Sequence, residues 1–385
     1  MQHTQLTDSY LIQLGEDRPG PCVSVFMPLR GIDTGVRNDQ VRLSHLGDRA
    51  LELMGHLHLR PEDSKKLVEP GIRRAIESAR QWNRPGNSIA LFISPAFSRS
   101  FTVPTELTEH VTVGPRFVTR PLMPLVELGF HPYLLALGLQ GTHLYRVNHD
   151  RLETVELDDL PSGVEVVGQF ENTENPEHYR APGSGGRLFH GHGGDLDVQV
   201  QLRMEFLRLV AAAVTGLAQQ ERMVLALAGE ATLLDDFRKA VTMVDIAEME
   251  IHGSAERFEE AELFGRAWNV VLNEAAGRRE QVAAEMKEQW SSSSIVKSVV
   301  NVLPMALQGR VRDLFIASDA ETWGRVDEAG LVVEEQSHIR LASDDLLDLC
   351  AHHTLKNGGN VHVVTLASMP GGVEAGAAVA RLRAR

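Results

Sequence analysis

The sequence predicts an α/β protein built from three compact mixed α/β domains. Short apolar runs such as Cys22 to Met27, Ser88 to Ser94 and Met223 to Ala228 recur along the chain. Longer stretches of helical period lie between them. A length of 385 residues also exceeds what one ordinary core holds. The expected domains are residues 1–125, residues 126–270 and residues 271–385.

In the first domain the Pro/Gly turn at 18–21 leads into the buried strand Cys22 to Met27, which Pro28 ends. A helix follows from Gly35. Its expected apolar stripe is Val41, Leu43, Leu46, Ala50, Leu51 and Met54, with Arg37, Asp39, Arg42, Asp48 and Arg49 on the polar side. Residues 61–82 form a second helix with Pro61 at its start. Ser88 to Ser94 is a strand, and 98–125 is extended. Arg30, Arg37, Asn38 and Arg42 form either a basic contact patch or a solvated helix face.

The second domain opens with a three-stranded meander, Tyr133 to Leu139, Thr142 to Val147 and Leu152 to Leu157. A long arm, 161–195, follows with little hydrophobic periodicity. A helix from Val198 to Gln220 comes next, with Val198, Leu202, Phe206, Leu209, Val210, Val214 and Leu217 on one face. Met223 to Ala228 is a buried strand and Ala231 to Ala240 a helix. Residues 254–289 are helical with a break at Gly277. In the third domain the expected order is a helix at Ile295–Gln308, a strand at Val311–Ala317, a weak strand at 331–336, a helix at Asp344–Asn357, a strand at Val361–Leu366 and a last edge strand at Val373–Leu382.

The composition is that of a globular chain, 43% hydrophobic and 23% charged. No run reaches the roughly 18 apolar residues that a membrane span needs. The N-terminus shows no basic region followed by an apolar core, so no signal peptide is expected. Cys22 and Cys350, the two cysteines, stand far apart. That excludes a disulfide framework and points to the cytoplasm. The net charge of −14, from 38 basic and 52 acidic residues, argues against indiscriminate nucleic-acid binding. It leaves room for one local RNA contact.

The densest functional signal is Gly183 to Asp197, GSGGRLFHGHGGDLD. Six of its fifteen residues are glycine, and it feeds directly into a helix. Such an arm presents its backbone to a distant target. The order is a meander, a glycine-rich arm with a Gly-Gly pair, a long helix, a buried strand ending Ala228-Gly229, and then an acidic helix. It resembles the middle domain of archaeal and eukaryotic class-1 release factors and of Pelota. The helix, the Gly309 stop, the VRDLFIAS strand, the Gly358-Gly359 turn, the VHVVTL strand and the PGGVEAGAAVARLR ending resemble that family's third domain. The likeness covers about residues 126–385. It points to the bacterial relatives of the family, which include Balon-like ribosome factors.

The resemblance implies a ribosome-binding translation factor that enters the A site, with a translational GTPase such as elongation factor Tu as delivery partner. The family's GGQ loop falls on Gly193, Gly194 and Asp195. There the glycines permit a special backbone, an N–H stabilises the oxyanion, and a neutral glutamine positions water. Asp195 replaces that glutamine. A carboxylate only accepts hydrogen bonds at neutral pH, and an RNA-walled site repels it. It could serve as a general base, or simply cap the following helix with Asp197 in its first turn. No catalytic residue is therefore assigned; if the chain is hydrolytic, Gly193, Gly194 and Asp195 carry the reaction. RNA contact is expected from Arg187, His190, His192, Gly193 and Gly194, with a flexible surface loop as the competing reading. A zinc site at His190 and His192 lacks nearby ligands, and no cofactor is expected. The three functional readings are a non-hydrolytic ribosome factor for hibernation or stalling, a peptidyl-tRNA hydrolase, and a stress-related interaction module off the ribosome.

Overall fold

The computed structural model describes residues 6–30, 34–78, 87–126, 128–166, 194–254, 257–327, 332–336 and 343–384, with the backbone alone for 34, 194–198 and 332–336. In chain order the helices used below are α1 (Asp8–Gly15), α2 (Thr34–His56), α3 (Pro61–Glu77), α4 (Met123–Val126), α5 (Gly194–Ala218), α6 (Ala231–Ala240), α7 (Glu260–Glu288), α8 (Val299–Leu307) and α9 (Leu346–Lys356). The strands are β1 (Cys22–Pro28), β2 (Ser88–Ser94), β3 (Phe97–Val103), β4 (His110–Gly114), β5 (His131–Leu137), β6 (Thr142–Val147), β7 (Leu152–Val155), β8 (Met223–Gly229), β9 (Ile246–His252), β10 (Ile295–Lys297), β11 (Val311–Ala317), β12 (Trp323–Val326), β13 (Val332–Gln336), β14 (Asp344–Asp345), β15 (Asn360–Val364) and β16 (Ala378–Leu382). The class is mixed α/β. By contact the chain forms two compact units, residues 1–128 with 277–385, and residues 129–276.

In the first unit an antiparallel sheet runs β3-β2-β1-β4. Its strands alternate two apolar sets, so both faces are buried. Val23, Val25, Met27, Ile89, Leu91 and Ile93 pack under Leu43, Leu46, Ala50 and Met54 of α2 and Val68, Ile72 and Ala75 of α3. The opposite face is aromatic. Phe92 meets Phe26, Phe101 and Phe117 edge-on at 5.9, 6.1 and 5.2 Å, and Tyr10 of α1 meets Phe101 at 5.6 Å. α1 was not foreseen, because about two turns of mixed residues carry too little period to read.

The C-terminal sheet runs β10-β16-β11-β15, with β11 and β15 parallel. Val282, Ala283 and Met286 of α7 pack with Phe315, Met369 and Val379 on it. A small sheet, β13-β12-β14, completes the unit.

The N-terminal and C-terminal segments are clasped through α9 and the residues just before it. Asp348 Oδ1 accepts the backbone N–H groups of Thr119 (2.7 Å) and Arg120 (2.6 Å). The buried Arg120 guanidinium donates to the Ala317 carbonyl at 2.9 Å and to Asp345 at 3.3 Å. Asp345 also caps α9 by accepting from Leu347 and Asp348 N–H. Arg116 joins Asp344 at 2.6 Å to Asp17 at 2.7 Å. The polar grip thus spans the short strand β14, which supplies Asp344 and Asp345, and the first turn of α9, which supplies Asp348.

The second unit holds a five-stranded sheet, β7-β6-β5-β8-β9. The meander β5-β6-β7 is antiparallel, while β5/β8 and β8/β9 are parallel. α5 covers it with Phe206, Leu207, Val210 and Val214 against Leu135, Leu137, Leu225 and Leu227.

Several expectations are corrected. Val41 is 52% exposed and Leu209 39% exposed. Each lies two residues from a buried leucine, about 200° round the helix. Asp39, expected in solvent, is fully buried. It accepts from the Arg30 N–H (2.8 Å) and from Arg42 (2.9 Å), and Arg42 also holds the Pro28 carbonyl and Glu109. Arg42 is thus a brace rather than part of a contact patch. α7 continues through Gly277, which costs a helix only about 1 kcal/mol. Ile295–Gln308 is not one helix: Ile295–Lys297 pairs with β16, and Ser298 turns the chain at φ 72°. The final strand starts at Ala378 and lies inside its sheet, between β10 and β11, as its run of fully buried alanines and valine requires. β9 was missed because its alternation is masked by glutamates.

Burial, reinforced by the charge of Asp345, pushes the Asp348 carboxyl up to about 7. The folded unit then keeps a proton that the unfolded chain releases near pH 4. This stabilisation is complete below that pH and is lost as pH rises to 7. The melting temperature should therefore fall between pH 5 and 8, and Asp348→Asn, which keeps an acceptor without the charge, should flatten that slope. An equal slope in the variant would remove Asp348 as its source.

Candidate functional site

Both ends of the glycine-rich arm are rooted in the second unit. After β7, Leu157, Leu160 and Val164 pack against its core. The Thr142 N–H donates to the Ser162 carbonyl at 2.9 Å, and the Val164 N–H to the Leu139 carbonyl at 2.8 Å. Gly163 passes so close to the β5–β6 turn that a Cβ would stand 3.0 Å from the Leu139 oxygen and 3.1 Å from the Gln140 oxygen. A side chain there requires the turn to give by a few tenths of an ångström. This root is built from backbone bonds that the sequence pattern does not display.

The exit root is α5. Its buried stripe from Phe206 to Val214 seats it on the sheet. Arg203 adds an ion pair to Asp236 at 2.7 Å and a bond to the Thr232 carbonyl at 3.0 Å. Nearer the N-terminus, Val200 and Met204 are 59% and 40% exposed. Burial therefore weakens toward the start of the helix.

The segment 167–193 lies outside the described residues, and with it Arg187, His190, His192 and Gly193. Gly194 is the first residue of α5 and Asp195 the second. Asp195 is thus inside the helix rather than at its cap, and Asp197 shares the first turn. A bare helix N-terminus attracts anions such as phosphate. Two aspartates there complement the helix dipole instead, and they oppose a second anion.

The second unit also holds a polar cluster that the sequence did not flag. Tyr133, read as an apolar strand residue, is 1% exposed and its hydroxyl donates to Glu221. Arg146 donates to the Tyr133 oxygen at 2.5 Å and to Glu221 at 3.2 Å, with its guanidinium 5.3 Å from the ring centre. Burial, with Glu221, raises the phenol above its ordinary value. The phenol stays protonated and the cluster braces β5, β6 and the turn before β8. Arg146 opposite Tyr133 in the ladder was the available signal. Among the described residues no group of three or more His, Cys, Asp or Glu could hold a metal ion.

The meander, the rooted arm, the covering helix and the parallel strand β8 fall in one contiguous segment. Residues 132–273 match the model of bacterial archaeo-eukaryotic release factor family 7. Over that segment the chain is similar to the bacterial relatives of the archaeal and eukaryotic release factors. No curated protein matches the sequence significantly. Among solved structures, the archaeal translation termination factor aRF1 is 14% identical over 100% of each chain, with a TM-score of 0.24. Archaeoglobus fulgidus Pelota is 10% identical over 78% of this chain and 80% of its own, with a TM-score of 0.31. An archaeal Pelota in a ribosome-bound model with ABCE1 is 15% identical over 78% of each chain, with a TM-score of 0.36. No helix among the described residues is long and apolar enough to cross a membrane.

The entry root of the arm makes a direct prediction. Gly163→Ala should push the chain off the Leu139 carbonyl and cost about 1–3 kcal/mol, in the range of overpacking. Urea unfolding would read it, and an unchanged midpoint would show that the turn yields freely.

Proposed function

We propose that this chain is a cytoplasmic ribosome-binding factor that enters the A site and acts in hibernation or in handling stalled ribosomes, without hydrolysing peptidyl-tRNA. The observation that carries the reading is Asp195. It follows Gly193-Gly194 and is the second residue of α5, where a release-factor loop has its glutamine. A glutamine amide both donates and accepts, whereas an ionised carboxylate only accepts. A carboxylate also brings a negative charge toward RNA, and its repulsion is strong wherever water is excluded. In this reading Gly193 and Gly194 bring the backbone to ribosomal RNA, and Arg187, His190 and His192 contact phosphates and bases. A translational GTPase such as elongation factor Tu delivers the factor, and no cofactor takes part.

The test combines ribosome co-sedimentation at physiological salt with a peptide-release assay on purified stalled complexes. We expect the wild-type protein to sediment with ribosomes and to release no peptide above background. Release that disappears in Gly194→Ala would instead establish a hydrolase, with Asp195 as the group assisting water. Failure to sediment would favour an interaction module that works away from the ribosome.

A further inference from the structure

The C-terminal sheet gathers three arginines at one end. β11 and β15 are parallel, so both begin at that end, and the antiparallel β16 finishes there. Arg310 and Arg312 come from the start of β11, and Arg383 follows β16. The backbone joins them: the Arg383 N–H donates to the Arg310 carbonyl at 2.8 Å. The Arg383 guanidinium is held by the Val311 carbonyl at 3.1 Å and the Asn357 carbonyl at 2.8 Å. It is exposed and already ordered, and its remaining N–H groups make no further hydrogen bond among the described residues.

Arg312 is ejected by a bulge. Val311 pairs with Leu382 and Asp313 with Arg381, so Arg312 is the extra residue in the ladder. Its side chain is 63% exposed. Arg310 is half-exposed and has no ion pair among the described residues. The carboxylates nearby are already engaged. Arg381 binds Asp313 through two N–H groups, at 2.8 and 2.7 Å, and Asn360 binds its other oxygen at 2.8 Å. Arg312 reaches Asp313 only at 3.6 Å. Glu285 is paired with Arg381, and Glu16 with Lys356.

In a chain of net charge −14, such a cluster is a local exception. We infer that this end of the C-terminal sheet is a docking site for RNA phosphates, formed by Arg310, Arg312 and Arg383; it rests on the ribosome-binding reading and names one of its contact points. Guanidinium groups match phosphate oxygens with paired N–H bonds, and fixing Arg383 beforehand lowers the ordering cost. An acidic protein partner fits less well. Protein interfaces are anchored by buried aromatic or aliphatic side chains, and none of the exposed large apolar residues among those described belongs to the three segments that form the cluster. The acidic remainder of the surface turns RNA away and leaves this patch to set the orientation.

The test uses the full chain and a labelled RNA duplex of roughly 20 base pairs, read by anisotropy across a salt series. Arg383 is left intact because it braces two carbonyls. Arg310→Ala/Arg312→Ala should keep the melting temperature, lose about tenfold in affinity at moderate salt and lower the slope of log K against log salt by about 2. Arg310→Lys/Arg312→Lys should keep most of that slope. An unchanged slope in the alanine variant, no duplex binding by the wild type, or arginine-dependent binding of polyglutamate in place of RNA would each overturn the assignment. The same variants in ribosome co-sedimentation separate the two readings. Arginine-dependent duplex binding without ribosome binding removes the ribosome reading and keeps the phosphate site. Undiminished ribosome binding with an unchanged duplex slope does the reverse.

Discussion

The parallel pairing of β5 with β8 is the constraint from which the candidate site follows. Two parallel neighbours cannot be joined by a tight turn, so the chain must leave the sheet and return across it. Here the crossover carries everything of interest: the two remaining meander strands, the arm and α5. The returning helix must bury one face on the sheet, and Phe206, Leu207, Val210 and Val214 do so. The segments on either side of the arm are therefore held by the Ser162–Val164 root and by the buried stripe of α5 from Phe206 to Val214. A loop that must deliver a few residues to a distant site needs such rigid ends, since slack at the roots would be added to the uncertainty at the tip.

The first unit depends on a different economy of charge. Asp345, Asp348, Arg120 and Asp39 are all nearly or fully buried; Asp345, Arg120 and Asp39 each bind backbone groups as well as an ion-pair partner, and Asp348 binds backbone groups alone. Breaking one partner would strand the others, which is why buried networks of this kind hold segments in one arrangement more than they add net stability. The segment leaving the N-terminal sheet at Thr119–Arg120 is pinned this way to a helix more than two hundred residues later in sequence. At the opposite extreme, Arg312 and Arg383 at the end of the C-terminal sheet are exposed, Arg310 is half-buried, and the described residues leave almost no carboxylates to satisfy them. The same sheet thus neutralises its interior charges and leaves others open at its rim.

The strands were legible wherever both faces are apolar. Cys22–Pro28, Ser88–Ser94, Met223–Gly229 and Val311–Ala317 lie where the runs placed them, because a strand buried on both sides has no polar alternation to obscure it. The longer amphipathic helices α2, α3 and α5 were legible from the opposite signal, an apolar stripe that repeats at helical period against a polar face. The position of Asp195 directly after Gly193-Gly194 needed no coordinates at all, and that position is the basis of the functional reading. The order of elements was likewise enough to place residues 132–273 beside the release factors, as the family match shows.

The sequence by itself determined the mixed α/β class, the meander–arm–helix order and the aspartate at the head of α5, since each is a property of neighbouring residues. Tertiary structure alone decided which charges are interior, that β16 is a central strand, and that Arg310, Arg312 and Arg383 meet. Periodicity reports how a residue relates to its own helix or strand. It reports nothing about the segment, scores or hundreds of residues away, that will cover it, satisfy it or leave it exposed.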